Sequence, residues 1–393
     1  MSIKKIIVAG HTCLDVAPDL SSVPAGRFQE LLQPGKLVYT GGFNLSTGGA
    51  VPNTGLSLHK LGIPVQLIGK IGDDLFGQAV LEKIRQASPA LIEKMVIDPG
   101  GATSITLILN PPGTDRSFLH FEGTNATFYA SDLPRETLEK ADLFHFGYPS
   151  LMRSIYRGDG GELVSILQRA RRAGLTTSLD FSLPDPTSPA GQVDWPVILE
   201  NSLPLVDLFV PSAEELTFFL KRELYDRMCA DPDQAFLDAV TPDLCRELSE
   251  IVLGYGVKAV LIKIGHRGMY LRTAGPFAWQ KAGRALEDLS PTWHDRELWA
   301  PAFNVEVQGT TGAGDAAIAG FLASIVRGAD PDVALRMGAA AGACSVACPD
   351  SVSGLMTWED LLERLNADWA TLPLDLTAFG WRKEPEDGIW QRA

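Results

Sequence analysis

Residues 307 to 326, VQGTTGAGDAAIAGFLASIV, join a glycine-rich turn to an unbroken apolar helix, with the carboxylate of Asp315 at the joint. Gly312 and Gly314 carry no Cβ and can take positive φ, so the amides around Ala313 are able to converge on one point at a helix N-terminus. Converging N–H donors and the positive end of a helix dipole suit an anion, and in particular a phosphoryl group in transfer. The same dipole favours an ionised Asp315, which could then accept a proton. The competing reading is a helix cap, because Asp is common in a first turn and glycine turns often serve packing alone. Taken by itself, the stretch favours the cap.

The elements that must hold this turn can be read from the apolar runs. KKIIVAG, PVQLIGKIG, ADLFHFG, LTTSLDF, VDLFVPS and VKAVLIKIG read as short buried strands. Helical patterns such as AVPNTGLSLHKLG, closed by Gly62, DLFGQAVLEKIRQA and GELVSILQRARRAG separate them. This rhythm predicts an α/β fold, with a mainly parallel sheet covered by helices on both faces. Residues 36–43 and 103–121 alternate polar and apolar side chains around a Pro-Pro-Gly turn, which predicts antiparallel strands forming a small lid. Residues 221–244, 275–300 and 368–393, rich in Pro, Trp and charge, read as surface insertions or a tail.

Composition narrows the function. The 393 residues are 45% hydrophobic, enough for a sizeable core. A net charge of −14 argues against a general nucleic-acid or anionic-membrane partner, so an anionic ligand needs a local site. No run of eighteen uncharged apolar residues occurs and the N-terminal apolar run is too short for a signal peptide, which points to a cytoplasmic protein. The five cysteines lack paired C-x-x-C spacing, and the six histidines lack metal-ligand spacing.

The glycine turn does not stand alone. GTTGAGD, STGGAVPNTGLSLHKLG and IGKIGDDLFG follow the order and approximate spacing of the ribokinase-like sugar kinases of the PfkB group. GHTCLD, PPGTDRSFLHFEGTN and KIGHRG extend the resemblance, which covers Gly10 to about Leu365. It implies a ribokinase-like, Rossmann-type kinase domain over residues 1–366 with lid segments near 12–43 and 101–125, followed by a C-terminal extension over 367–393. It also implies ATP and magnesium as cofactors, a sugar-like small molecule as acceptor, and a homodimer formed through the lid. Asp315 resembles the catalytic base, and Gly312, Ala313 and Gly314 resemble the anion hole. Asp15, Gly49 and Asn53 resemble ligands of substrate hydroxyls, while Lys263, Gly265, Gly268 and Thr310 fall where the family binds nucleotide. Glu215 matches the end of an Asn-x-x-Glu motif that organises magnesium through water, and hard oxygen ligands with retained waters suit that ion.

Two positions depart from the pattern. Gly309 stands where the family has an Asp, which weakens any expectation of monovalent-cation activation, and Ser212 stands for the Asn of Asn-x-x-Glu. Gly147, Tyr148 and Pro149 replace a substrate-contacting acid found after that strand in several relatives, so ribose read in the usual way is not the expected acceptor. The alternatives are a nucleoside kinase and a catalytically weak sugar- or nucleoside-binding protein. A dinucleotide-dependent oxidoreductase and a Walker-type enzyme lack their glycine motifs. Asp73 and Asp74 read as helix caps, and Asp180 as a turn former or as a group at the ligand-binding edge of the sheet. His11 reads as a loop histidine satisfied by its neighbours. Arg116 reads either as a group closing over ligand or as a solvated strand residue, and Trp381 and Trp390 as packing residues.

Overall fold

The runs IIVAG, LFHFG and TTSLD carry no polar face, so they can pair only inside a sheet covered on both sides. The computed structural model shows this arrangement; it describes residues 3–26, 33–113, 116–348 and 350–392. Eleven strands form one sheet. From one edge, Val96–Asp98, Val65–Gly72, Ile6–Gly10, Leu143–Gly147, Thr176–Asp180, Leu208–Phe209 and Ala259–Lys263 run parallel. Met269–Thr273, Glu297–Ala300, Trp390–Arg392 and Trp381–Lys383 continue it in antiparallel pairing. The mainly parallel α/β architecture expected from the sequence is present.

Two clusters of buried side chains lie in the helix layers. One contains Val51, Ile318, Phe321 and Leu335, and the other Ile166, Leu199, Leu216 and Val252. Helix Ala313–Val326 is buried from Asp315 to its end, so its apolar character is that of a core element. Each such large side chain contributes roughly 1.5–3 kcal/mol on burial. The helix is therefore held rigidly, and so is the acid in its first turn.

Four further strands form the lid: Phe43–Gly48, Cys13–Pro18, Ile105–Leu109 and Ser117–Phe121, in that order. The hairpin expected over 103–121 is present. The strand expected over 36–43 instead runs over Phe43–Gly48, where the chain pairs with Cys13–Pro18; before it, Gly41 and Gly42 exchange backbone hydrogen bonds with Asp19. Lid residues 27–32, with Thr114 and Asp115 of the Gly-x-x-Arg stretch, lie outside the described residues. The segment 275–300 is not a surface insertion throughout, because Glu297–Ala300 is a sheet strand and Trp293 and Trp299 are fully buried. Trp381 and Trp390 pack on the sheet edge at 3% and 5% exposure, in strands contributed by the last residues. Among the described residues no helix is long and apolar enough to cross a membrane.

Candidate active site

The carboxyl ends of the parallel strands meet at one edge, where open α/β sheets bind ligands. Gly10, Gly147 and Asp180 end neighbouring strands in register there. The turn before helix Ala313–Val326 reaches the same place. Gly312 supplies its left-handed corner with a φ of 77°, and a Cβ there would collide with Ser351. Gly314 differs from expectation: it has helical φ, and what its missing side chain provides is space in front of Lys263.

Asp315 occupies the third position of the helix but does not cap it, since no side chain caps this N-terminus. Its carboxylate is turned inward and is 1% exposed. Oδ2 accepts from Asn53 Nδ2 at 3.1 Å and from the Tyr148 hydroxyl at 2.7 Å, and Oδ1 accepts from Thr54 Oγ1 at 2.9 Å. Ser351 donates to Asn53 Oδ1 at 2.9 Å, which fixes the amide with its NH₂ toward the acid. Burial pushes the Asp315 pKa above the ordinary carboxylate range, while these donors and Lys263 oppose the shift. Helix Ala50–Lys60 presents Asn53 and Thr54 together, as adjacent residues of its first turns packed against helix Ala313–Val326.

Beside this acid lies a buried charge cluster. Lys263 ends its strand with Nζ 2.5 Å from Asp180 Oδ1 and 3.7 Å from where a Cβ on Gly314 would stand. Burial opposes the charge on Lys263, but Asp180 and Glu215 outweigh it and raise its pKa, so the side chain is an ammonium. Glu215 accepts from the Ser212 backbone N–H at 2.7 Å, and Ser212 Oγ accepts from the Glu215 N–H at 3.2 Å. Ser212, in place of the family's Asn, therefore completes a capping box. At the helix start the Ala313 N–H is turned to Thr310 O at 3.4 Å; the positive end of the helix, an ammonium and the open space at Gly314 form a cradle suited to a phosphoryl group.

The inner face of the lid supplies a polar wall. The ladder sets Asp15, Thr106 and His120 side by side across three strands. Thr106 Oγ1 lies 3.0 Å from His120 Nδ1, and Cys13 Sγ donates to Asp15 Oδ1 at 3.3 Å. Burial raises the Asp15 pKa to about 6, against the hydrogen bonds from Cys13 and Thr106. The His11 ring lies 5.3 Å from that of His120 and 6.1 Å from that of Tyr148, tilted to both. The expectation of a satisfied loop histidine fails, because His11 is buried and neither ring nitrogen has a partner. Burial lowers its pKa, so it stays neutral and could offer both a donor and an acceptor. Gly49 packs against this ring, 2.5 Å from Nδ1 to where a Cβ would stand, which is why that position accepts no side chain.

Most of the sequence-derived site converges. Asp315, the Gly312–Gly314 turn, Asn53 and Lys263 share one cluster, and Asp15 and Gly49 lie on the adjoining lid side. Arg116 reaches from the lid to the turn, donating to Thr310 Oγ1 at 2.5 Å and to the hydroxyl of Thr311. It therefore latches the lid onto the loop. Gly265 and Gly268 occupy the turn after the Lys263 strand with φ of 52° and 90°, packed on Leu237 and on the Ala300–Ala302 backbone. Asp74 caps its helix by accepting from Gly77 N–H at 2.7 Å. Tyr148, Thr54 and Ser351 are site residues that sequence reasoning missed. Of these only Tyr148 left a signal, as an aromatic residue standing where relatives have an acid.

The comparisons agree with the fold. The profile of the PfkB family carbohydrate kinases matches residues 4–358. The chain belongs to that family, and is thus a carbohydrate kinase, a phosphotransferase with an alcohol group as acceptor. The probable chloroplastic fructokinase-6 of Arabidopsis thaliana is 26% identical over 72% of this chain and 63% of its own length. Probable fructokinase-5 of the same plant is 24% identical over 81% and 82%. A crystal structure of a fructokinase with bound ATP from Xylella fastidiosa superposes with a TM-score of 0.67 at 19% identity, covering 93% of this chain and 99% of that one.

Proposed function

We propose that this protein transfers the terminal phosphoryl group of ATP to a hydroxyl of a sugar or sugar-like small molecule. The observation that carries the reading is the juxtaposition of an inward-facing, uncapping Asp315 with the helix N-terminus and the Lys263 ammonium. In this reading Asp315 accepts the hydroxyl proton as the new O–P bond forms and the bond to ADP breaks. The first-turn amides and Lys263 take the charge on the moving group. Three buried carboxylates against one lysine leave the site short of positive charge, which fits a magnesium ion arriving on ATP phosphates. Glu215 would meet the ion through water, as the resemblance of its helix start to the family's Asn-x-x-Glu motif implies. When bound, magnesium supplies further neutralisation of the phosphate oxygens. Coupled measurement of ADP release tests the proposal against a panel led by fructose, the sugar named for the plant relatives, followed by ribose and nucleosides. Saturable sugar binding without turnover of any acceptor would make the chain a binding protein instead.

Asp15 gives a pH prediction. Its carboxyl accepts hydroxyl protons on both oxygens in charge-assisted bonds only when ionised, and burial delays ionisation to about pH 6. The KM for the acceptor should therefore rise as pH falls through about 6, while the KM for ATP holds steady. Asp15→Ala should raise the acceptor KM by roughly tenfold to a thousandfold, the loss of one or two charge-assisted bonds, and remove that pH dependence. Equal weakening of both substrates would make Asp15 a structural residue.

The outer lid face suits a second copy of the chain. Leu45, Val16, Leu107 and Leu119 form one apolar row across all four strands, flanked by Phe43 and Phe121. Leu119 is 62% exposed and Phe43 64%, and a patch of this kind marks an association surface. Sedimentation should give a dimer, and Leu119→Asp should give a monomer. A wild-type chain that stays monomeric at micromolar concentration contradicts this.

A further inference from the structure

Tyr148 takes a left-handed backbone conformation, φ 63°, immediately after the strand Leu143–Gly147. That conformation is unfavourable for a side chain of this size and persists only where the surroundings enforce it. Here its N–H donates to Asp180 O at 3.2 Å and Pro149 follows, so the ring is turned back over the strand ends toward the acid. A carboxylate offers about four lone-pair positions, two on each oxygen. On Oδ2 both are filled, by Asn53 and Tyr148, whereas Oδ1 accepts from Thr54 alone. We infer that Tyr148 is a positioning residue for the base: it fixes Oδ2 and leaves a single acceptor position, on Oδ1, for the proton of the substrate hydroxyl. The inference rests on reading Asp315 as the base and assigns which of its two oxygens reacts.

The surroundings of Asp315 make the role measurable. Around the carboxylate stand Lys263, the carboxylates of Asp180 and Glu215, the Tyr148 phenol, and the neutral Asn53 and Thr54. The phenol is itself kept protonated by burial and by Asp315, so it donates throughout the working pH range. A donor that holds the ionised acid keeps it ionised at lower pH. Tyr148→Phe keeps the ring and removes the donor, so kcat should fall about tenfold while the KM for ATP is unchanged. The acid limb of the kcat profile should also move to higher pH, because the carboxylate now holds its proton longer. Incorporation of 3,5-difluorotyrosine at 148, a stronger donor in the same shape, should move that limb to lower pH. It also serves as the test if the Phe variant does not fold. A limb that stays in place in both variants overturns the inference. Full activity of Asp315→Asn is the separate result that would remove the base itself.

Discussion

Asp315→Asn should lower phosphotransfer at least about a hundredfold, the usual scale for a positioned general base, and leave the fold intact. The partners of Asp315 make this substitution unusually clean. An Asn at 315 can turn its carbonyl toward Asn53 and Tyr148, which both donate, and its NH₂ toward Thr54, whose hydroxyl can rotate to accept. Every hydrogen bond has a replacement, whereas the proton acceptor has none. Stability gives a second reading with a definite sign. Burial raises the Asp315 pKa, so the folded state holds the proton more tightly than the unfolded chain. The stability this contributes is complete below the unfolded pKa and is lost as pH rises through the folded one. At neutral pH the ionised acid is thus a burden that Asn removes, and the melting temperature of the variant should equal or exceed that of wild type. The advantage should vanish in acid. Retention of most kinase activity by this variant would show that the acid only fills the helix start.

The parts of the site legible in sequence are those that one short segment specifies. The glycine turn, the acid three residues into the helix, and the helix carrying Asn53 each show in local residue types. What could not be read are pairings between distant segments. Tyr148 meets an acid 167 residues away, and Ser351 orients an amide 298 residues away. No local pattern records such a meeting, because each depends on how the sheet brings strand ends to one edge. Misplaced elements have the same origin. Glu297–Ala300 becomes a buried strand because Met269–Thr273 pairs with it on one side and Trp390–Arg392, from the end of the chain, on the other. Gly314 could take positive φ by its residue type, yet it is helical, and it faces a lysine from a different strand. Family resemblance supplied roles for single positions such as Lys263. It did not reveal that this lysine is paired with Asp180.

That pairing complicates the test of Lys263, and the complication can be resolved. Lys263→Met removes the ammonium beside Gly314, and loss of one preorganised charge at a transferring group lowers kcat about a hundredfold to a thousandfold. The same change strands Asp180, 1% exposed, without its cation, a situation that costs roughly 3–5 kcal/mol. A less stable variant with low activity would leave the two causes entangled. Adding Asp180→Asn separates them, since the remaining buried group is then neutral and needs only a hydrogen bond. The double variant should regain most of the lost melting temperature, and its kcat should stay as low as that of Lys263→Met. Lys263→Arg should recover little activity, because a planar fork cannot occupy the space a compact ammonium fills beside the glycine turn. If the double variant recovers activity to within about tenfold of wild type, the lysine serves Asp180 rather than the phosphoryl group. In that case the helix N-terminus alone would carry the charge in transfer.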